Sequence, residues 1–128
     1  SESHRVVSEQ AATQTAAMMQ RVVCEGTATK AQVDNIPVAG KTGTAFKAAD
    51  NGTYYNEDGD RIYYASFVGF FPANDPQITV LVSVDEPPAG TNDRFGGTAA
   101  APVFAALVPT LLHERNIQPA PGSTGCPE

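Results

Sequence analysis

The sequence predicts an α+β domain in which helices pack on an antiparallel sheet. Two β-branched and aromatic runs, "IYYASFVGFF" and "QITVLVSVD", are joined by the short turn "ANDP", which reads as an antiparallel hairpin. Segments with helical patterning precede and follow the strand region. The order helix, three strands, helix contains no β-α-β alternation, so a parallel sheet is not expected. At 128 residues and 41% hydrophobic content, the chain is sized for one domain with a modest core.

The first helix is expected over "SEQAATQTAAMMQRVVCEG". Ser8 has the side chain of an N-cap, Glu9 places a negative charge in the first turn, and Gly26 is the stop. Ala12, Ala16, Met19 and Val23 recur at helical spacing and form one narrow apolar face. After a polar, irregular stretch from Thr27 to Pro37, "VAGKTGTAF" begins as a strand of small residues. "KAADNGTYYNEDGDR" follows as a surface excursion with Asn51-Gly52 and Asp58-Gly59 as turns, its charges solvated. The next two runs are apolar on alternate and adjacent positions alike, so both faces of their hairpin are expected to be buried, with Pro72 ending the first. "EPPAGTNDRFGG" is a loop, and "TAAAPVFAALVPTLLHER" is a helix with Thr98 as its cap, Pro102 near the first turn and Pro109 placed to bend or break it. Residues 118–128, rich in Pro and Gly, form a tail that is expected to move unless Cys126 ties it down.

Composition excludes several functions. Eight Lys and Arg against 14 Asp and Glu give a net charge of −6, the wrong sign for gripping nucleic acid by its phosphates. The runs "YYASFVGFF" and "ITVLVSV" are too short to span a bilayer as helices, and nothing at the N-terminus resembles a signal sequence, so a membrane anchor is expected only outside this chain. Cys24 and Cys126 form no C-x-x-C pair and have no His at ligand spacing, so neither a metal site nor a cofactor is expected. They read as two thiols or, in an oxidising compartment, as one disulfide.

"VAGKTGTAF" can hold an anion in two ways. A phosphate-binding loop needs Gly-x-x-x-x-Gly-Lys-Thr; with Gly40 as the second glycine, the first position falls on Asn35. Such a loop must also lead into a helix, whereas Gly43-Thr44-Ala45-Phe46 leads to turn chemistry. The alternative is a strand on which Lys41, Thr42, Gly43 and Thr44 offer a cation, two hydroxyls and a backbone position open to close approach. Lys-Thr-Gly accompanies Ser-x-x-Lys in penicillin-binding proteins and serine β-lactamases.

Taken together, "VAGKTGTA", "YASFVGFFPANDPQITVLVSVDEP" and "FGGTAAAPVF" resemble the C-terminal part of the transpeptidase domain of class B penicillin-binding proteins, which cross-link peptidoglycan. The likeness runs from about Val7 to about Ile117, so residues 1–117 are read as a C-terminal segment of that domain. The resemblance implies that Lys41 lies beside a nucleophilic serine, and that Thr42 and Thr44 bind the terminal carboxylate of a D-alanyl-D-alanine stem peptide or a β-lactam. It also implies that the Thr44 N–H is an oxyanion donor, with Gly43 part of the substrate strand. The setting implied is the extracytoplasmic face of the bacterial membrane, where a bridge between Cys24 and Cys126 is expected.

The nucleophile is not in this sequence. None of Ser1, Ser3, Ser8, Ser66, Ser83 and Ser123 has a lysine three residues on, and Ser-x-Asn does not occur. His4 and His113, near a terminus and a helix end, read as surface residues rather than members of a triad. Three accounts follow: a piece of a larger enzyme whose other segment bears Ser-x-x-Lys and Ser-x-Asn, a non-catalytic binding domain of the same fold, or a nucleotide-binding loop. The first is favoured, because "SESHRVVS" begins just before a helix that the family places late in the domain. Two helices cannot cover three strands that are apolar on both sides, so the rest of the domain is expected as the partner surface.

Overall fold

The computed structural model describes residues 4–126. Helix α1 spans Glu9–Glu25; strands β1 (Ala39–Phe46), β2 (Tyr63–Phe71) and β3 (Ile78–Asp85) follow, and helix α2 spans Ala101–Glu114. The strands form one antiparallel sheet in the order β1-β2-β3.

Both ends of α1 use the predicted residues. The Ala11 N–H donates to Ser8 Oγ at 3.1 Å, which satisfies one of the free donors of the first turn. At the other end the Gly26 N–H closes on Val22 O. Of the four residues expected on the apolar face, only Val23 is fully buried; Ala16 and Met19 are half-buried and Ala12 is exposed. The helix lies against β1 and sends its C-terminal end into the core.

Helix α2 covers one face of the sheet, and α1 reaches the other only near Phe70. Cross-strand partners share a face, so Ala65, Phe67, Gly69 and Phe71 of β2 lie with Thr42, Thr44 and Val82 toward α2. Phe67 and Phe71 meet Phe104 of α2 edge-on, at ring separations of 4.8 and 5.7 Å. Ala101, Val108 and Leu112 complete the buried stripe of the helix. The other face differs from expectation: Tyr64, Val68 and Leu81 are exposed, Leu81 by 65%. Apolar sequence on both faces of a hairpin reports what is available for burial, and α2 can cover one side only.

The last helical segment starts two residues earlier than expected and runs unbroken through Pro109 to Glu114. A π-helical turn, Gly96–Ala100, precedes α2 with Phe95 in the cap position. Thr98 is therefore not the cap; its hydroxyl accepts from the Phe95 N–H and donates to Asn92 O. Pro109 neither ends nor divides α2, because Val108 and Leu112 are buried on both sides of it while Pro109 itself faces solvent. The run Gly96–Glu114 is long and apolar enough to cross a membrane by length and composition, a stretch the sequence reading passed over. Here its buried stripe is seated on the sheet.

The excursion between β1 and β2 forms a smaller hairpin. Gly52 and Gly59 take φ values of 76° and 83°, as their turns require, and Tyr55 bridges Arg61. Its charges are not all solvated. Arg61 donates to the Tyr55 hydroxyl and lies 4.4 Å above the Phe46 ring, and Lys47 contacts Asp85 and Glu86 at 2.8 and 2.9 Å. The tail returns to α1, where Cys126 is bonded to Cys24 across 102 residues.

Candidate functional site: the Lys-Thr-Gly-Thr strand

The stretch Lys41-Thr42-Gly43-Thr44 lies inside β1, which continues to Phe46. A phosphate-binding loop requires a helix to start at this point, so the loop reading is overturned. Asn35 does adopt the left-handed backbone that reading needed, with φ 61°, but it sits in a separate turn closed by the Ile36 N–H on Val33 O.

Within the described residues β1 pairs only with β2, so its second edge is open. The Lys47 N–H donates to Ile62 O on the β2 side. Alternation along an antiparallel ladder then turns the N–H groups of Thr42 and Thr44 to the open edge. Lys41 uses that edge: its Nζ donates to Thr42 O at 3.0 Å and to Thr42 Oγ1 at 3.1 Å. Lysine carries three donors, so one remains for an incoming group.

The two threonine hydroxyls have different partners. Thr42 Oγ1 is 3.1 Å from Thr27 Oγ1, just beyond the end of α1. Thr44 Oγ1 accepts from the Gly96 N–H at 3.2 Å. Since that bond uses a lone pair, the Thr44 proton is free to donate outward. The helix start can approach so closely because Gly96 and Gly97 carry no side chains, while Gly43 makes room for Ser66 on the opposite face of β1. A Cβ on Gly96 would lie 2.3 Å from Ser66 O and 2.6 Å from Gly43 O, one on Gly97 would lie 2.2 Å from Thr27 O, and one on Gly43 would lie 2.5 Å from Ser66 Oγ. Thr27, Gly96 and Gly97 were not singled out in the sequence, although "FGG" directly before a helix marks a place where backbone must come close.

Aromatic rings and guanidinium groups alternate beyond Thr44. Phe46 packs on Tyr63 at 5.6 Å and Tyr63 on Phe95 at 5.5 Å, while Arg94 lies over both Tyr63 and Phe95. These contacts fasten the loop before Gly96 to the strands and so hold the Gly96 N–H over Thr44. Arg61 adds a second stacked cation, its pKa raised by the hydrogen bond to Tyr55. His4 and His113 are exposed. Among the described residues no group of His, Cys, Asp and Glu is arranged to hold a metal ion.

An open strand edge that offers lysine, hydroxyls and backbone N–H groups, backed by a glycine-rich helix start on an α-covered antiparallel sheet, defines the Lys-Thr-Gly element of the penicillin-recognising transpeptidases. The chain belongs to that family: residues 1–108 match the model of the penicillin binding protein transpeptidase domain. Among curated relatives, stage V sporulation protein D of Bacillus subtilis is 41% identical over 115 residues, covering 90% of this chain and 17% of the relative. Peptidoglycan D,D-transpeptidase FtsI of Escherichia coli is 36% identical over 109 residues, covering 84% of this chain and 17% of the relative. Among solved structures, the transpeptidase domain of Burkholderia pseudomallei penicillin-binding protein 3 superposes with a TM-score of 0.73 at 41% identity, over 91% of this chain and 33% of that one. Penicillin-binding protein 3 of Mycobacterium tuberculosis, solved with ampicillin, gives 0.69 at 28% identity, over 98% of this chain and 30% of that one. The chain thus spans about one sixth of the length of these curated relatives.

Proposed function

We propose that this chain supplies the Lys-Thr-Gly-Thr strand of a peptidoglycan D,D-transpeptidase, which cross-links stem peptides by serine acyl transfer and is acylated by β-lactams. The observation that carries the reading is the open edge of β1, where Lys41 Nζ, the outward Thr44 N–H and the free proton of the Thr44 hydroxyl lie within four consecutive residues. Lys41 and the Thr44 hydroxyl suit a terminal carboxylate. The Thr44 N–H suits an oxyanion, because a fixed donor aimed at developing charge stabilises it more than water can. An extended peptide suits the edge itself, as an added strand. Thr42, whose hydroxyl is engaged with Thr27 and Lys41, acts mainly by holding the lysine.

The serine comes from a segment bearing Ser-x-x-Lys and Ser-x-Asn, since neither motif occurs in this sequence. That segment belongs to the remainder of the same domain, which also covers Tyr64, Val68 and Leu81 on the bare face of the sheet. The enzyme works at the extracytoplasmic face of the bacterial membrane, held by an anchor outside this sequence.

The test is reconstitution with a labelled penicillin. Covalent catalysis needs an activated nucleophile within reach of a base, so the chain alone forms no adduct and hydrolyses no D-alanyl-D-alanine ester. Mixed with a polypeptide bearing Ser-x-x-Lys and Ser-x-Asn, it assembles, and the adduct appears on the other polypeptide. Acylation of the isolated chain refutes this assignment of the nucleophile. Assembly without acylation makes the chain a binding domain of the same fold instead.

A further inference from the structure

We propose that Thr27 is a positioning residue for the Lys41–Thr42 pair, holding the Thr42 hydroxyl so that it in turn holds Lys41 Nζ. The inference rests on the transpeptidase reading above. Three side chains form a chain of polar atoms: Thr27 Oγ1 to Thr42 Oγ1 at 3.1 Å, and Thr42 Oγ1 to Lys41 Nζ at 3.1 Å. Whichever hydroxyl donates, the Thr27 bond selects one χ1 rotamer of Thr42. Without it, a half-exposed threonine on a strand edge has staggered alternatives that point Oγ1 away from the lysine. Lys41, exposed and flexible, would then keep only the bond to Thr42 O.

Thr27 can serve as an anchor because its own backbone is held from several sides. The N–H groups of its neighbours Gly26 and Ala28 both donate to Val22 O. Gln32 Nε2 donates to Val23 O and Cys24 O, closing the end of α1. The Cys24–Cys126 bond lies three residues before it, and the Gly97 backbone packs so closely on Thr27 O that a Cβ there would overlap it. The end of α1 is thereby coupled to a lysine 14 residues further on in a strand. Thr27 makes no direct contact with a reacting group in this arrangement; it acts through Thr42.

The test uses the complete transpeptidase that carries this chain, acylated by a fluorescent penicillin so that the non-covalent Kd and the acylation rate constant are separated. Thr27→Val keeps the shape and removes the hydroxyl. It lowers the acylation rate constant about 10- to 100-fold, the range expected when a reacting group is slightly misplaced, with Kd and Tm little changed. Thr27→Ser restores most of the rate, and Thr29→Val, an exposed neighbour whose side chain serves none of these bonds, leaves it unchanged. Methyl NMR of Thr42 and ¹⁵N NMR of Lys41 Nζ show both signals moved in Thr27→Val and returned in Thr27→Ser. Equal acylation rates in Thr27→Val and wild type overturn the inference, as does a Thr27→Ser as slow as Thr27→Val. If the wild type itself is not acylated, the transpeptidase reading fails, and the NMR arm decides Thr27 alone: unmoved Thr42 and Lys41 signals overturn its role.

Discussion

The Gly96 N–H donates to Thr44 Oγ1 across 52 residues of sequence, tying the first turn of the C-terminal helical segment to the strand that carries Lys41. The bond exists because Gly96 has no side chain to keep it off the backbone of Gly43 and Ser66. It leaves the proton of the Thr44 hydroxyl free to donate outward, and the bond that the hydroxyl accepts strengthens it as a donor.

Gly96→Ala is expected to separate the helix start from β1. The new methyl would fall 2.3 Å from Ser66 O, and backbone on a paired strand gives way poorly. Overpacking of this kind costs about 1–3 kcal/mol. Urea unfolding measures that loss, and penicillin acylation of the complete enzyme falls with it. Wild-type stability and acylation together would refute the close-contact account.

For Lys41 the expectation is the reverse balance. Its side chain is exposed, so Lys41→Ala changes stability by about 0.5 kcal/mol or less. If it supplies fixed positive charge to substrate and serine, acylation by a penicillin slows by about 100-fold or more. Stopped-flow acylation and a melting curve on the same sample distinguish the two effects. A large loss of stability with normal acylation of the folded fraction would remove the catalytic role.

The Cys24–Cys126 bond closes a loop of roughly a hundred residues, for which the chain-entropy model gives a stabilisation of about 3–5 kcal/mol. Replacing both cysteines with serine, or adding a reductant, is expected to lower the urea midpoint and to free the tail before the sheet unfolds. Mass spectrometry without reduction should find no free thiol in the native protein. Two free thiols in fresh material would show that the bridge does not form.

Lys47 gives a prediction in alkaline solution. Hydrogen bonds to Asp85 and then to Glu86 hold its pKa up at about 12, above the ordinary 10.5. A cation whose folded pKa is raised contributes stability that is fully present below the unfolded value and is lost as pH rises through the folded one. The Tm difference between wild type and Lys47→Met is therefore constant from neutral pH to about 10.5 and shrinks toward 12. A difference that disappears already near neutral pH would contradict the ion-pair account.

Much of the local structure was legible because local forces specify it. Ser8 and Gly26 bound α1 as their chemistry predicts, Pro72 ends β2, and the turn glycines take the positive φ that only they adopt without strain. The Lys-Thr-Gly-Thr motif and its flanking strands were also enough to place the chain in its family.

The tertiary structure decided which apolar residues are buried and which hydroxyls meet. Nothing in the sequence of β2 says that Phe67 is enclosed while Val68 is left open; the position of α2 decides it. Pro109 stays in its helix because burial on either side outweighs one missing N–H. The contacts of Thr27 with Thr42 and of Gly96 with Thr44 join ordinary threonines and glycines from distant parts of the chain. Residue type alone identifies groups able to make such bonds. Only packing, by fixing their distances, selects the pairs that do.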